Sequence, residues 1–140
     1  MPTLKFNLAL RYAFYAYATT FVLGIIISFV FPVTASEISQ SVWYAGMVVT
    51  ALVTGWFGWK YLRQFPYPSM VTGAMFGVVT ILLGFLIDTI FFSIAYLVND
   101  SSNVMEYYGD PHFFATLLIA FLTPVFVARS LRQSRDKRTG

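Results

Sequence analysis

Apolar residues fall into four long runs, over residues 12–31, 41–62, 69–98 and 112–131, separated by three polar breaks. Each run holds about twenty residues or more, enough for a helix to cross a hydrocarbon core about 30 Å thick. Pro32 closes the first run, and Ser39 or Ser41 is placed to cap the second. Phe65-Pro66-Tyr67-Pro68 cannot continue a helix and marks a tight turn. Asp110-Pro111 is a helix start, with Asp at the cap and Pro at the first helical position. Pro124 interrupts the fourth run and predicts a kink, which a membrane helix tolerates when neighbours satisfy the freed carbonyl. The third run is longer than the core needs, so it must tilt or project. Connections this short predict an all-α, transmembrane, antiparallel four-helix bundle in a single domain.

Aromatic residues mark the ends of these runs. Trp43 and Tyr44 stand at one end of the second run and Trp56, Trp59 and Tyr61 at the other, as two interfacial belts would. Tyr12, Tyr15 and Tyr17 near the start of the first run read the same way. Small residues form two further stripes: Ala13, Ala16, Thr20, Gly24 and Ser28 on the first run, and Gly46, Thr50, Thr54 and Gly58 on the second. Both suit close helix packing; for the second stripe a substrate path is the alternative.

Composition agrees with the pattern. Of 140 residues, 58% are hydrophobic and 11% charged, more apolar surface than a soluble domain of this size can hide. Charge then orients the spans. Lys5 and Arg11 lie at the N-terminus, Lys60 and Arg63 about the second connection, and Arg129, Arg132, Arg135, Lys137 and Arg138 at the C-terminus. The first and third connections hold Glu37, Asp100, Glu106 and Asp110 and no basic residue. By the positive-inside rule both termini are cytoplasmic. The C-terminal basic cluster is also a candidate contact for anionic lipid; its place beside the membrane argues against nucleic acid. A cleaved signal peptide ending at Val33-Thr34-Ala35 is the rival for the first run, although that run is long for a signal core.

One charge lies deep inside a run. Sixteen of the residues from Met70 to Val98 are Leu, Ile, Val or Phe, supplying about −5 to −10 kcal/mol of insertion energy. Asp88 opposes this by about 3 kcal/mol, so the segment still inserts. At about 100° per residue, Gly73, Gly77, Gly84 and Asp88 share one face, with Ala95 inside its arc and Thr80 at its edge. Gly73 and Gly77 form a GxxxG pair, so this face should meet other helices. Asp88 and Thr80, with Ser28 on the first span and Thr116 on the fourth, make the candidate polar site. Two readings stay open. Asp88 locks the bundle through hydroxyls on neighbouring helices, or it binds a proton or cation during transport.

Other chemistry is sparse. Without cysteine there is no disulfide, thiolate metal site or Cys nucleophile. A single His112 cannot by itself build a typical zinc or bis-histidine haem site. Beside Asp110 and Glu106 it forms either a weak cation site or, more simply, an interfacial His next to a helix cap. No phosphate loop, dinucleotide fingerprint or nucleophile elbow occurs. Asn99-Asp100-Ser101 matches a glycosylation sequon, which matters only in a eukaryotic secretory membrane. No catalytic residue, metal or cofactor is expected.

The four short spans, the basic second turn, the acid in the third span, and Tyr107-Tyr108-Gly109-Asp110-Pro111 leading into an aromatic-started fourth helix resemble small bacterial four-span integral membrane proteins of unknown function. That resemblance covers most of the chain and implies no activity. The small multidrug exporters are similar in size and span number but keep their essential acid in the first helix, where this chain has none. The expectation is a multi-pass cell-membrane protein of the bacterial inner membrane, not an enzyme. It would act as an accessory component through contacts with membrane lipids, with a second copy of itself as a homo-oligomer or with a larger membrane protein. The alternative is a small proton- or cation-coupled transporter using Asp88.

Overall fold

The computed structural model describes residues 5–31, 39–99 and 108–139. Glu37, Asp100, Glu106, the Val33-Thr34-Ala35 pattern and most of the sequon lie outside the described residues. Within them the chain is all-helical: α1 Phe6–Val30, α2 Gln40–Leu62, α3 Met70–Asn99 and α4 Pro111–Thr139. All four are long and apolar enough to cross a membrane.

Two helices exceed their expected bounds. α1 begins at Phe6, not residue 12, because nothing from Phe6 to Arg11 breaks a helix and Ala9 continues the small face. α4 runs on to Thr139, past residue 131, because its basic tail is rich in Leu, Arg, Gln and Lys, all good helix formers. Ser39 stands at the α2 cap position, but its side chain makes no capping bond; its carbonyl accepts from Val42 and Trp43 at 3.0 and 3.3 Å. At α3 the Ser69 hydroxyl accepts from the Thr72 N–H at 3.1 Å, satisfying one of the orphan donors of the first turn.

The helices form a ring in the order α1, α2, α4, α3. α3 and α4 share the most extensive contact, whereas α2 and α3, although joined by the tight turn, sit nearly diagonal. The glycines explain the first fact. A Cβ placed on Gly73 would lie 2.5 Å from the Pro124 carbonyl oxygen, and one on Gly77 3.0 Å from that of Phe121. Farther along, the Phe85 and Phe113 rings meet at 5.8 Å and extend the same contact. Within a bilayer, excluding water gives no drive for helices to meet, so backbone approach and van der Waals contact must supply it.

The packed core occupies the end that holds the turn. Tyr61, Leu62, Phe65, Phe76 and Ala128 are buried there against Ala9 and Ala13. The Tyr61 ring stacks on Phe76 at 4.9 Å and meets Phe65 edge-on at 5.1 Å. Polar ties close this end. Lys5 Nζ donates to the Gln64 carbonyl at 3.1 Å, and the Arg135 guanidinium donates to the carbonyls of Phe65 (2.9 Å) and Pro66. The three basic segments of the sequence therefore meet at one end of the bundle.

Candidate functional site

Asp88 lies on α3 about 27 Å beyond Met70, away from the packed core. Its Oδ1 accepts a hydrogen bond of 2.5 Å from the Tyr17 hydroxyl of α1. Gly84, one turn before Asp88, makes room for that contact: a Cβ there would lie 3.7 Å from the Tyr17 ring. Phe21 stacks on Tyr17 at 6.3 Å and on Phe91 at 5.7 Å, extending the α1–α3 contact past the carboxylate.

Two cavities meet at this pair. The larger, about 470 Å³, lies between the far halves of α1 and α2 and is lined by Gly24, Ser28, Trp43 and Gly46 among others. The smaller, about 140 Å³, reaches toward the packed core between Thr54, Thr80 and Gly84. Tyr17, Thr20, Thr50, Asp88 and Thr116 line both. The larger has the size of a small-ligand site and shares the usual make-up, apolar walls with a few convergent polar groups.

The hydroxyls around these spaces have a common arrangement. Thr54 donates to the Thr50 carbonyl at 2.6 Å, Thr80 to Phe76 at 2.9 Å, Thr116 to His112 at 2.8 Å and Ser28 to Gly24 at 2.9 Å. Each proton is spent on the carbonyl one turn back, so what these side chains have left to offer is oxygen lone pairs. With the carboxylate, the lining favours a species that brings its own positive charge or donors.

The predicted polar residues separate into two sets. Thr80 and Thr116 share the smaller cavity with Asp88, while Ser28 and Thr116 share the larger. Ser28 and Thr80 line no common space. The hydroxyl that bonds Asp88 belongs to Tyr17, a residue read from sequence as interfacial. α1 starts six residues before the apolar run, so Tyr17 lies about 16 Å into the helix, where its hydroxyl meets Asp88. The available signal was its place among the small residues Ala13, Ala16 and Thr20. The α1 stripe also divides: Ala9, Ala13 and Ala16 are buried, but nothing lies within 4 Å of a Cβ on Gly24. On α2, Gly58 packs on Pro124 and Phe76, whereas Gly46 faces open space.

At the far end Asp110 caps α4. Its Oδ1 accepts from the His112 backbone N–H at 2.8 Å and lies 2.8 Å from the ring Nδ1. The backbone bond first, then the ring, hold the Asp110 carboxyl below the usual carboxylate value. The His112 ring stacks on Trp43 at 5.7 Å. Nearby, burial and then the charge of Asp88 push the Tyr108 phenol above its ordinary value. Among the described residues no three His, Cys, Asp or Glu side chains gather as a metal site would require. In the basic tail Arg129, Arg132 and Lys137 are exposed, whereas Arg135 is half-buried against the turn. The Arg138 side chain lies outside the described residues.

No protein-family model, curated protein or solved structure matches this chain.

Proposed function

We propose that this chain is a non-enzymatic, multi-pass protein of the cell membrane, the inner membrane of a bacterium, that binds a proton or small cation at Asp88 and carries it across the bilayer. Its single bundle is antiparallel, with both termini and the packed end cytoplasmic, by the positive-inside rule. Asp88 and its cavities then sit in the outer half. The observation that carries this reading is the meeting of two cavities at an Asp88–Tyr17 pair, within apolar walls where the hydroxyls of Ser28, Thr54, Thr80 and Thr116 present lone pairs. An acid inside a membrane must be neutral or paired to stay there, so a site that exchanges its proton or cation relieves the same penalty that makes it rare.

The test is flux in proteoliposomes. With an imposed pH gradient and an entrapped pH dye, the wild-type chain should move protons or exchange them for a monovalent cation. Asp88→Asn should lower the rate at least about tenfold while eluting as the same folded species, since one full unit of binding discrimination is about 1.4 kcal/mol. Equal rates in the two proteins would sink the proposal.

A second reading keeps the chain as an accessory component. It draws on the open space beside Gly24 and Gly46, where a helix of a second copy or a larger membrane protein would find small residues. Co-purification of a stoichiometric partner, lost in Gly46→Leu, would favour it over transport.

A further inference from the structure

At the packed end, outside the Asp88 site, we infer a binding site for the headgroup of one anionic phospholipid, formed by Arg11, Lys60 and Arg63 on an aromatic strip across α1 and α2. The Arg11 guanidinium lies over the Tyr15 ring, 5.6 Å from its centroid, and Nε donates to the Tyr15 hydroxyl at 3.1 Å. Tyr15 meets Phe57 at 6.2 Å. Lys60 Nζ lies 5.1 Å from the Trp56 centroid and 6.0 Å from that of Phe57. Trp56 stacks on Trp59 at 5.5 Å, and the Arg63 guanidinium covers Trp59 at 4.5 Å. Three cations are thus strung along two ring pairs, Tyr15–Phe57 and Trp56–Trp59, which Lys60 bridges.

These cations differ from the other basic groups. Lys5 and Arg135 are engaged by the carbonyls of the turn, and the tail carries Asp136 as a neighbouring acid. Among the described residues no ion pair involves Arg11, Lys60 or Arg63. A ring face holds a cation in place without neutralising it, so an arriving phosphate meets a full charge already oriented. Tyr and Trp also favour headgroup depth, which puts the strip where lipid phosphates lie.

The surface leading to the strip argues for a lipid over a soluble anion. Val48, Leu52 and Trp56 recur one turn apart on α2 and are 59%, 69% and 55% exposed, and Lys60 continues their line. An acyl chain laid along that ridge brings its phosphate to Lys60, to which Arg11 is linked through Tyr15 and Phe57 and Arg63 through Trp59 and Trp56.

Native mass spectrometry of the full chain from detergent provides the test, with phosphatidylglycerol titrated against phosphatidylcholine of the same acyl chains. Wild type should retain phosphatidylglycerol preferentially. Lys60→Gln with Arg63→Gln should lower that retention roughly tenfold to thirtyfold, from about 1 kcal/mol per basic residue near the surface. Arg129→Gln with Arg132→Gln, which removes charge from the tail and leaves the ring-held cations in place, should change it less, and Lys60→Arg should keep it. No headgroup preference in wild type, or an equal loss in the tail variant, would overturn the assignment. So would displacement of the lipid by millimolar inorganic phosphate, which would make this a site for a soluble anion.

Discussion

Around Gly58, Gly73 and Gly77 the small residues are filled in: Pro124, Phe121 and Phe76 press against them, and the turn is tied down by Lys5 and Arg135. Around Gly24 and Gly46 similar small residues on the same kinds of helix meet nothing within 4 Å, and a cavity of about 470 Å³ opens instead. A small residue is therefore no guarantee of a contact. It permits close approach, and whether the approach happens depends on what faces it. Pro124 faces the filled half. Its ring replaces a backbone donor, and it stands fully buried in the α2–α3–α4 seam. Across the open half stands Asp88, held by Tyr17, and a carboxylate needs room for whatever neutralises it.

Exchanging side chains between the halves gives the largest expected effect. Gly73→Leu puts its Cβ against the Pro124 carbonyl, where backbone must move, and should destabilise the bundle by about 3 kcal/mol or more. Gly24→Leu enters open space and should change stability by less than about 1 kcal/mol. Denaturation in mixed micelles, followed by circular dichroism, measures both. Comparable losses would mean that the two halves do not differ in packing.

The helices themselves were legible in the sequence, because twenty-residue apolar runs and paired prolines leave few alternatives. The Gly73–Gly77–Gly84–Asp88 face was legible too, since spacing alone places four residues on one side of a helix. Their partners were not. Nothing in the spacing says that Gly73 meets Pro124 while Gly24 meets a void, because both facts depend on which helix comes opposite. Tyr17 was hidden for a different reason. Its role depends on where α1 starts, and hydropathy cannot see a start made by Phe6 to Arg11, a mixed segment whose helicity follows from what it lacks.

The next effect concerns the hydrogen bond at the mouth of the open half. Tyr17→Phe keeps the ring and its stack on Phe21 but removes the donor to Asp88. Side-chain hydrogen bonds within membranes average about 0.6 kcal/mol and reach about 1.7, so the stability loss should be modest. The pH profile of flux should change, because the carboxylate loses a hydrogen-bond partner. An unchanged pH profile, in a variant that still transports, would show that Tyr17 is only packing.

Acid should loosen the far end before the packed end. The folded Asp110 carboxyl titrates below its unfolded value, so the stability it contributes is fully present above the ordinary carboxylate range near pH 4 and is lost as pH falls through the depressed value. Asp110→Asn keeps an oxygen to cap α4 and removes the titration. Between pH 5 and 3 its melting temperature should fall less than that of wild type. Hydrogen exchange should show the difference in the first turn of α4 and not around Phe76. Parallel acid curves for the two proteins would remove the His112 contact as the source.

The smallest expected effect on stability separates a chemical from a structural role for the open half. Thr116→Val swaps a hydroxyl for a methyl of nearly the same size. The bond that disappears runs to the His112 carbonyl one turn back, an acceptor with a second lone pair. The stability change should therefore stay within about 0.5 kcal/mol. The space beside Asp88, however, loses one of its acceptors, since Thr116 lines both cavities. If a cation passes there, its half-saturating concentration should rise several-fold in proteoliposomes while the bundle melts as before. If the hydroxyl serves only its own helix, both measurements should stay level, and the likeness between Thr116 and the hydroxyls of the packed half would then extend to function.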